Sequence, residues 1–302
     1  MLLSATIFLL TSTAFAQDSL IRYEYSEMVM GTMFKLTFYA ESNDKADRAS
    51  KLAFGKVHQL NRVFSDFDQE SEASRLAQSA GQKVKVGEDL WNLVKLSKQI
   101  SRHSRGAFDI SIGPLTKLWR RAIRQHQFPD SNKIRQAVEL VNYRWIKLYP
   151  GKQQIKLKKP GMKLDFGGIA KGYAIDQAFR VLSNEGIQYV LIDGGGDLYI
   201  NKNPPIGGSW KIKDHGGRPI EVVPPVAIAS SGDSYKRLKW NGKRYSHIVD
   251  PVKGIGLQNS EIFTIMAMNA TIADALATTI GLVSKTHRKK LLKKYQATLL
   301  QN

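Results

Sequence analysis

From Trp145 onward the chain is cut into strand-like runs of only a few residues, many of them joined by short turns. These runs are Trp145–Leu148, Gln154–Leu157, Met162–Asp165, Tyr189–Ile192, Leu198–Ile200, Trp210–Lys213, Val226–Ala229 and Glu261–Met266, with a hairpin around Asn241-Gly242. A parallel crossover needs a dozen or more connecting residues, so strands joined this closely pair antiparallel. Helical patterns at Ala170–Leu182 and Ala270–Val283 lie between them. The texture predicts an α+β fold: mixed, mostly antiparallel sheets packed with helices, rather than a doubly wound parallel sheet.

The first half is richer in helix. Arg22–Tyr25 and Phe34–Tyr39 read as strands, the second alternating Phe34, Leu36, Phe38. Asp44–Phe64, Ser71–Ala80, Glu88–His103, Pro114–Gln125 and Ser131–Val141 carry apolar residues at helical spacing, and Pro114 suits a first turn. No repeat or low-complexity linker divides the chain. A length of 302 residues and an apolar share of 42% are enough for a substantial core, and residues 17–302 are expected to form a single domain.

The absence of cysteine excludes disulfides, thiolate metal sites, a cysteine nucleophile and a lipid anchor on an N-terminal Cys. Residues 1–16, MLLSATIFLLTSTAFA, are uncharged apart from the amino terminus and end in Ala14-Phe15-Ala16. That junction fits a cleaved signal peptide, and export is expected with Gln17 as the first mature residue. An apolar start that stays uncleaved is the alternative.

Positive charge favours acidic partners without choosing among them. The formal net charge is +19, and residues 117–163 hold 13 Lys/Arg against Asp130 and Glu139. A second cluster, KTHRKKLLKKYQATLL, reads as a basic amphipathic helix with Leu291, Leu292 and Tyr295 as its apolar points. It is either a solvated terminal helix or a contact for an anionic membrane surface.

Four strings could carry chemistry. In Leu164-Asp165-Phe166-Gly167-Gly168-Ile169-Ala170-Lys171 a strand delivers Asp165, two glycines follow and a helix begins. Free N–H groups at such a start suit a phosphate, though a plain strand-to-helix turn reads the same way. Asp193-Gly194-Gly195-Gly196-Asp197 fits either close approach to a ligand or a bulged hairpin. Tyr245-Ser246-His247-Ile248-Val249-Asp250-Pro251 carries a histidine shortly before an Asp-Pro turn, with strand alternation placing His247 and Val249 on one face. On a helix through Ala273–Thr279, Asp274 and Thr278 are four residues apart and share a face. Such a hard-oxygen pair suits Mg²⁺; the alternative is Thr278 bonding back to its own helix and Asp274 on a solvated face.

Taken together and in order, these strings resemble the FAD:protein FMN transferase family, the ApbE-like flavin transferases. The resemblance begins at Met30-Gly31-Thr32 and runs through Phe64-Ser65-Asp66-Phe67, Gly106-Ala107-Phe108-Asp109 and Gly113-Pro114-Leu115. It continues through LDFGGIAKGYAID, DGGGD, SSGDSYKR, SHIVDP and ADALATT. It implies flavin-dinucleotide contacts from Met30, Phe67, Ala107, Phe108, Asp109, Asp165, Lys171 and Ile248. Phe67 stands where many members have Tyr and keeps a ring to stack. The implied Mg²⁺ ligands are the Gly168 carbonyl, Asp274 and Thr278.

The chemistry implied is attack of an acceptor Thr or Ser hydroxyl on the FMN-side phosphorus of FAD, with AMP leaving. Proton removal needs a positioned base, and His247 is the histidine inside a family string, with Asp250 as its orienter. The implied partners are FAD and an acceptor flavoprotein, such as a subunit of a membrane redox pump. The implied location is the periplasm, with peripheral contact to the inner membrane through the basic C-terminal helix. Two alternatives are a Mg²⁺-dependent FAD pyrophosphatase, which would use the same residues, and a non-catalytic FAD-binding protein, against which Asp274, Thr278 and His247 argue because storage needs no metal pair. Nucleic-acid binding rests on charge alone and is not expected.

Overall fold

The structure is a computed structural model that describes residues 20–213, 217–232, 237–258 and 261–300. The predicted signal segment and residues 233–236 of the SSGDSYKR string lie outside the described residues.

The chain opens with a hairpin of β1 (Ile21–Val29) and β2 (Thr32–Ala40). A helical stretch follows: α1 (Asn43–Phe64), α2 (Glu72–Gln78), the short β3 (Val84–Lys85), α3 (Glu88–His103), α4 (Gly113–Gln125) and α5 (Ser131–Val138). Next come β4 (Ile146–Tyr149), β5 (Gln154–Leu157) and α6 (Ala170–Asn184). The strands β6 (Val190–Gly194), β7 (Leu198–Ile200), β8 (Ile212–Lys213), β9 (Pro219–Ile220) and β10 (Val226–Ser231) lead into the hairpin β11 (Arg237–Trp240) and β12 (Lys243–Ser246). The chain closes with β13 (Phe263–Ala267), α7 (Ala270–Ile280), α8 (Lys285–Lys294) and β14 (Thr298–Leu300).

Seven strands form the main sheet in the order β1-β2-β6-β7-β10-β13-β14. Every pairing in it is antiparallel: β1–β2 and β6–β7 are joined by the expected short turns, and the remaining pairs are brought together by longer excursions of the chain. Strand alternation divides its two faces. Phe34, Leu36, Phe38, Ile192, Ala227 and Ala229 turn toward the principal core with α1, α3, α6 and α7. Val226 and Ile228 turn the other way and meet Ile200, Trp210 and Ile212 in a smaller cluster.

The helices form where side chains satisfy their free ends. Ser42 and Ser71 cap α1 and α2 by accepting from Lys45 N and Ser74 N. Ala46, Ala49, Ala53, Val57 and Leu60 give α1 a fully buried stripe that packs on α6. Asp176, in the middle of α6, caps α7 from the side: its carboxylate accepts from Ala270 N at 2.8 Å and from Thr271 N at 2.9 Å. Burial pushes the Asp176 carboxyl up, opposed by these hydrogen bonds and by the Thr271 hydroxyl.

Three expectations need correction. Met162–Asp165 is not a strand: its ladder contact is the single parallel bridge Ile112–Lys163, and Asp165 N donates to Ile110 O at 2.8 Å. The segment lies beside one short loop, so no partner strand extends the pairing. His247 lies just past β12 and not on it, because the strand ends at Ser246 and the chain turns through Asp250. The C-terminal tail forms β14 along β13, an edge strand that the basic composition concealed.

In α8, Leu291 is buried, and Leu292 and Tyr295 pack against the principal core. Its apolar points therefore serve this fold, while Lys289, Lys290, Lys293 and Lys294 face solvent.

Candidate active site

The site begins where α6 crosses α7. A Cβ added at Gly172 would lie 2.2 Å from the Ala270 carbonyl oxygen, so only glycine permits this approach. The closeness lets Gly172 N donate to Asp274 Oδ2 at 3.0 Å. Asp274 is 5% exposed, which rules out the solvated-face alternative. Its Oδ1 accepts no hydrogen bond among the described residues and lies 4.0 Å from Lys171 Nζ. The firm partner of Lys171 is Asp197, itself buried.

Thr278 is the one residue of α7 that is not buried. Its neighbour Thr279 bonds back to the Ala275 carbonyl; Thr278 forms no such bond, so its hydroxyl remains available. A Cβ added at Gly168 would sit 3.0 Å from Thr278 Oγ1, so the Gly168 backbone and this hydroxyl enclose a cradle that a larger residue would fill. Among the described residues no cluster of three or more His, Asp or Glu side chains could hold a metal. The fit for Mg²⁺ rests instead on one carboxylate oxygen, one hydroxyl and one backbone carbonyl, all hard oxygen donors.

The DGGGD string is the β6–β7 turn. Gly195 adopts φ 77°, and a Cβ there would lie 2.0 Å from Thr32 Oγ1. The turn therefore rests against the β1–β2 turn, where Met30 and Gly31 have φ 54° and 75°. It also delivers Asp197 to Lys171. Met30 is half-buried against the principal core.

A second group of charges adjoins the α6 start. Asp165 Oδ1 accepts from Gly167 N at 2.7 Å, while Oδ2 accepts from Thr116 Oγ1 at 2.6 Å and from Arg120 at 2.5 Å. Arg120 also pairs with Asp66 and lies 4.7 Å over the ring of Phe67, which is 80% exposed. Burial, followed by repulsion from Asp165, raises the Asp66 carboxyl above its usual range against the pull of Arg120.

Phe108 is buried in the core. Asp109 accepts from Ser111 N, Ser111 Oγ and Tyr143 N at 2.8, 2.7 and 2.7 Å, so both its oxygens hold the local chain. Burial raises its carboxyl; the Ser111 and Tyr143 bonds oppose the rise. Ala107 is half-buried.

Ile248 and Thr278 line one small cavity with Ser246 and Gly232, which brings the SHIVDP string beside Thr278. His247 is half-buried beside it. Asp250 Oδ1 accepts from Val252 N at 2.9 Å and from Lys253 N at 3.0 Å, closing the following turn. That turn is pinned by Trp119 Nε1, which donates to the Gly254 carbonyl at 2.8 Å.

Sequence reasoning gave no role to Arg120, Thr116, Asp176 or Gly172. Asp176 and Gly172 lay inside a quoted string, and their spacing on α6 was a legible signal. Arg120 and Thr116 act across a distance of more than 40 positions, for which the sequence held no signal.

The sequence pattern of the ApbE family matches residues 30–300, nearly the whole described chain. The chain belongs to the ApbE family. A FAD:protein FMN transferase of Klebsiella pneumoniae (strain 342) is 28% identical over 261 residues, covering 85% of this chain and 81% of that protein. One of Treponema pallidum (strain Nichols) is 27% identical over 279 residues, covering 85% and 77%. The crystal structure of the ApbE protein of Thermotoga maritima MSB8 superposes with a TM-score of 0.80 at 25% identity, covering 92% of this chain and 94% of that one. The apo flavinyl transferase ApbE of Pseudomonas stutzeri shares the fold with a TM-score of 0.81 at 23% identity, covering 94% and 92%. The Klebsiella and Treponema relatives are transferases by name, and the α+β fold with antiparallel sheets is shared with the two crystal structures.

Proposed function

We propose that this chain transfers the FMN moiety of FAD to a Thr or Ser hydroxyl of an acceptor flavoprotein. The acceptor oxygen bonds to the FMN-side phosphorus, the bond from that phosphorus to the bridging oxygen breaks, and AMP leaves with the bridging oxygen. His247 takes the hydroxyl proton as general base in its neutral form. Asp250, through the turn it closes, positions the segment that carries His247.

The observation that carries the reading is that Gly172 N holds Asp274 Oδ2 and leaves Oδ1 4.0 Å from Lys171 Nζ, one helical turn from Thr278, whose hydroxyl a Cβ at Gly168 would approach to 3.0 Å. Mg²⁺ held by Asp274, Thr278 and the Gly168 carbonyl would supply charge neutralisation on the pyrophosphate. Lys171, anchored by Asp197, keeps its ammonium beside that position to hold a phosphate oxygen. Phe67 offers an exposed ring for stacking, and Met30, Ala107, Asp165 and Ile248 border the dinucleotide. Phe108 and Asp109 support this border from within the core, where both side chains are buried.

Export to the periplasm through residues 1–16, and a peripheral contact of the solvent-facing lysines of α8 with an anionic membrane, complete the proposal. The test mixes the purified protein with FAD, Mg²⁺ and flavoprotein candidates from its host. FMN mass on an acceptor Thr or Ser, with AMP in equal amount, is the expected result. FMN and AMP released free, with no adduct on any acceptor, would make the chain a pyrophosphatase. FAD recovered intact would leave only binding.

A further inference from the structure

A groove of about 1110 Å³ opens between α2, α4 and residues 160–164, with Phe67 and Arg120 in its wall. Its rim is basic. Lys117, Arg121 and Arg124 form a stripe along α4, and Lys163 faces them from the opposite segment. All four side chains are exposed, and none is within ion-pair distance of a carboxylate among the described residues. Helix α4 contains no acidic residue. Like charges three and four positions apart weaken a helix, so this stripe opposes α4 unless an anion covers it. The inner face of α4 secures the helix instead: Leu115, Trp119 and Ala122 are buried in a separate cluster with Tyr245 and Val249.

FAD does not account for these cations. It carries its negative charge only on the pyrophosphate, which the proposed function places at Lys171 and the Asp274–Thr278 cradle. Of the residues assigned to the dinucleotide, Phe67 alone lines this groove. The groove nevertheless leads to the site, because Arg120 in its wall bonds Asp165 next to the α6 start.

We propose that this groove docks an acidic segment of the acceptor protein, guiding its Thr or Ser hydroxyl toward the phosphorus. The inference rests on the transferase reading and adds the chemistry by which the acceptor is recognised. Complementary charge at such a rim acts mainly on encounter rate and is screened by salt.

The test is a binding measurement, independent of turnover. Two otherwise identical Thr-centred peptides are compared, one rich in Asp and Glu and one with Asn and Gln in those places. Both are titrated into the full chain and into an Arg121→Glu/Arg124→Glu variant, with FAD affinity measured in parallel. The expected result is tighter binding of the acidic peptide, weakened by salt and reduced about tenfold or more in the variant, with FAD affinity and FAD cleavage unchanged. Loss of FAD affinity in the variant, with peptide binding unaffected, would assign the groove to the dinucleotide and overturn the proposal. Equal binding of the two peptides, or no response to charge reversal, would also overturn it. Failure of FMN transfer with charge-dependent peptide binding intact would instead refute the transferase reading alone.

Discussion

Gly172 N–H donates to Asp274 Oδ2 at 3.0 Å across the contact of α6 and α7. This bond orients a buried carboxylate so that its other oxygen lies 4.0 Å from Lys171 Nζ. It exists only because residue 172 has no side chain.

Gly172→Ala tests that dependence. The new methyl meets the Ala270 carbonyl and Asp274 Cβ, so α7 must shift. Overpacking of this kind costs about 1–3 kcal/mol, read as a lower denaturation midpoint in urea. FMN transfer by the folded fraction should fall further than stability does. Full activity in a stable variant would show that the helix spacing does not set the site.

Asp274→Asn keeps the size and an acceptor for Gly172 N while removing the charge. Transfer and FAD cleavage should both be lost, with the melting temperature in chelator little changed. Stabilisation by Mg²⁺, which follows from binding to the native state alone, should disappear as well. Thr278→Val should weaken that stabilisation in the same assay. Mg²⁺-dependent stabilisation that persists in both variants would place the metal elsewhere.

His247→Ala should lower kcat about 10²–10⁴-fold while FAD affinity changes little. A base must be neutral to accept a proton, so wild-type kcat should fall as the pH is lowered. That acid limb should vanish in the variant. Near-normal kcat with weakened FAD affinity would make His247 a binding residue and move the base to another group.

Lys98 provides a pH test of the fold itself. Its ammonium donates to the carbonyls of Tyr143 and Ile146, and burial, helped by Lys147 and Arg102, lowers its pKa to about 8. The unfolded chain holds that proton up to about pH 10.4, so between the two values it binds more protons than the native state. Stability contributed by this group therefore rises with pH across that window. Urea unfolding of wild type and Lys98→Met from about pH 7 to 10 should show the difference moving in favour of wild type. A difference that does not vary with pH would mean that the Lys98 pKa is the same in both states.

Local chemistry is what the chain states on its own. The Ser42 and Ser71 caps, the apolar stripe of α1, the Asn241-Gly242 hairpin and the spacing of Asp274 and Thr278 depend on residues within a few positions of each other. Short connections between strands were enough to predict an antiparallel α+β fold, because covalent reach limits how neighbours can pair. The ordered strings likewise pointed to the ApbE family. Only the tertiary structure decided which of those residues are free to act. Thr279 spends its hydroxyl on Ala275 while Thr278 does not, and Asp109 is consumed by Ser111 and Tyr143. Arg120 joins Asp66 to Asp165, and Asp176 on one helix caps another. The physical reason is that hydrogen bonding and burial are settled by neighbours in space, and these neighbours are mostly far apart along the chain.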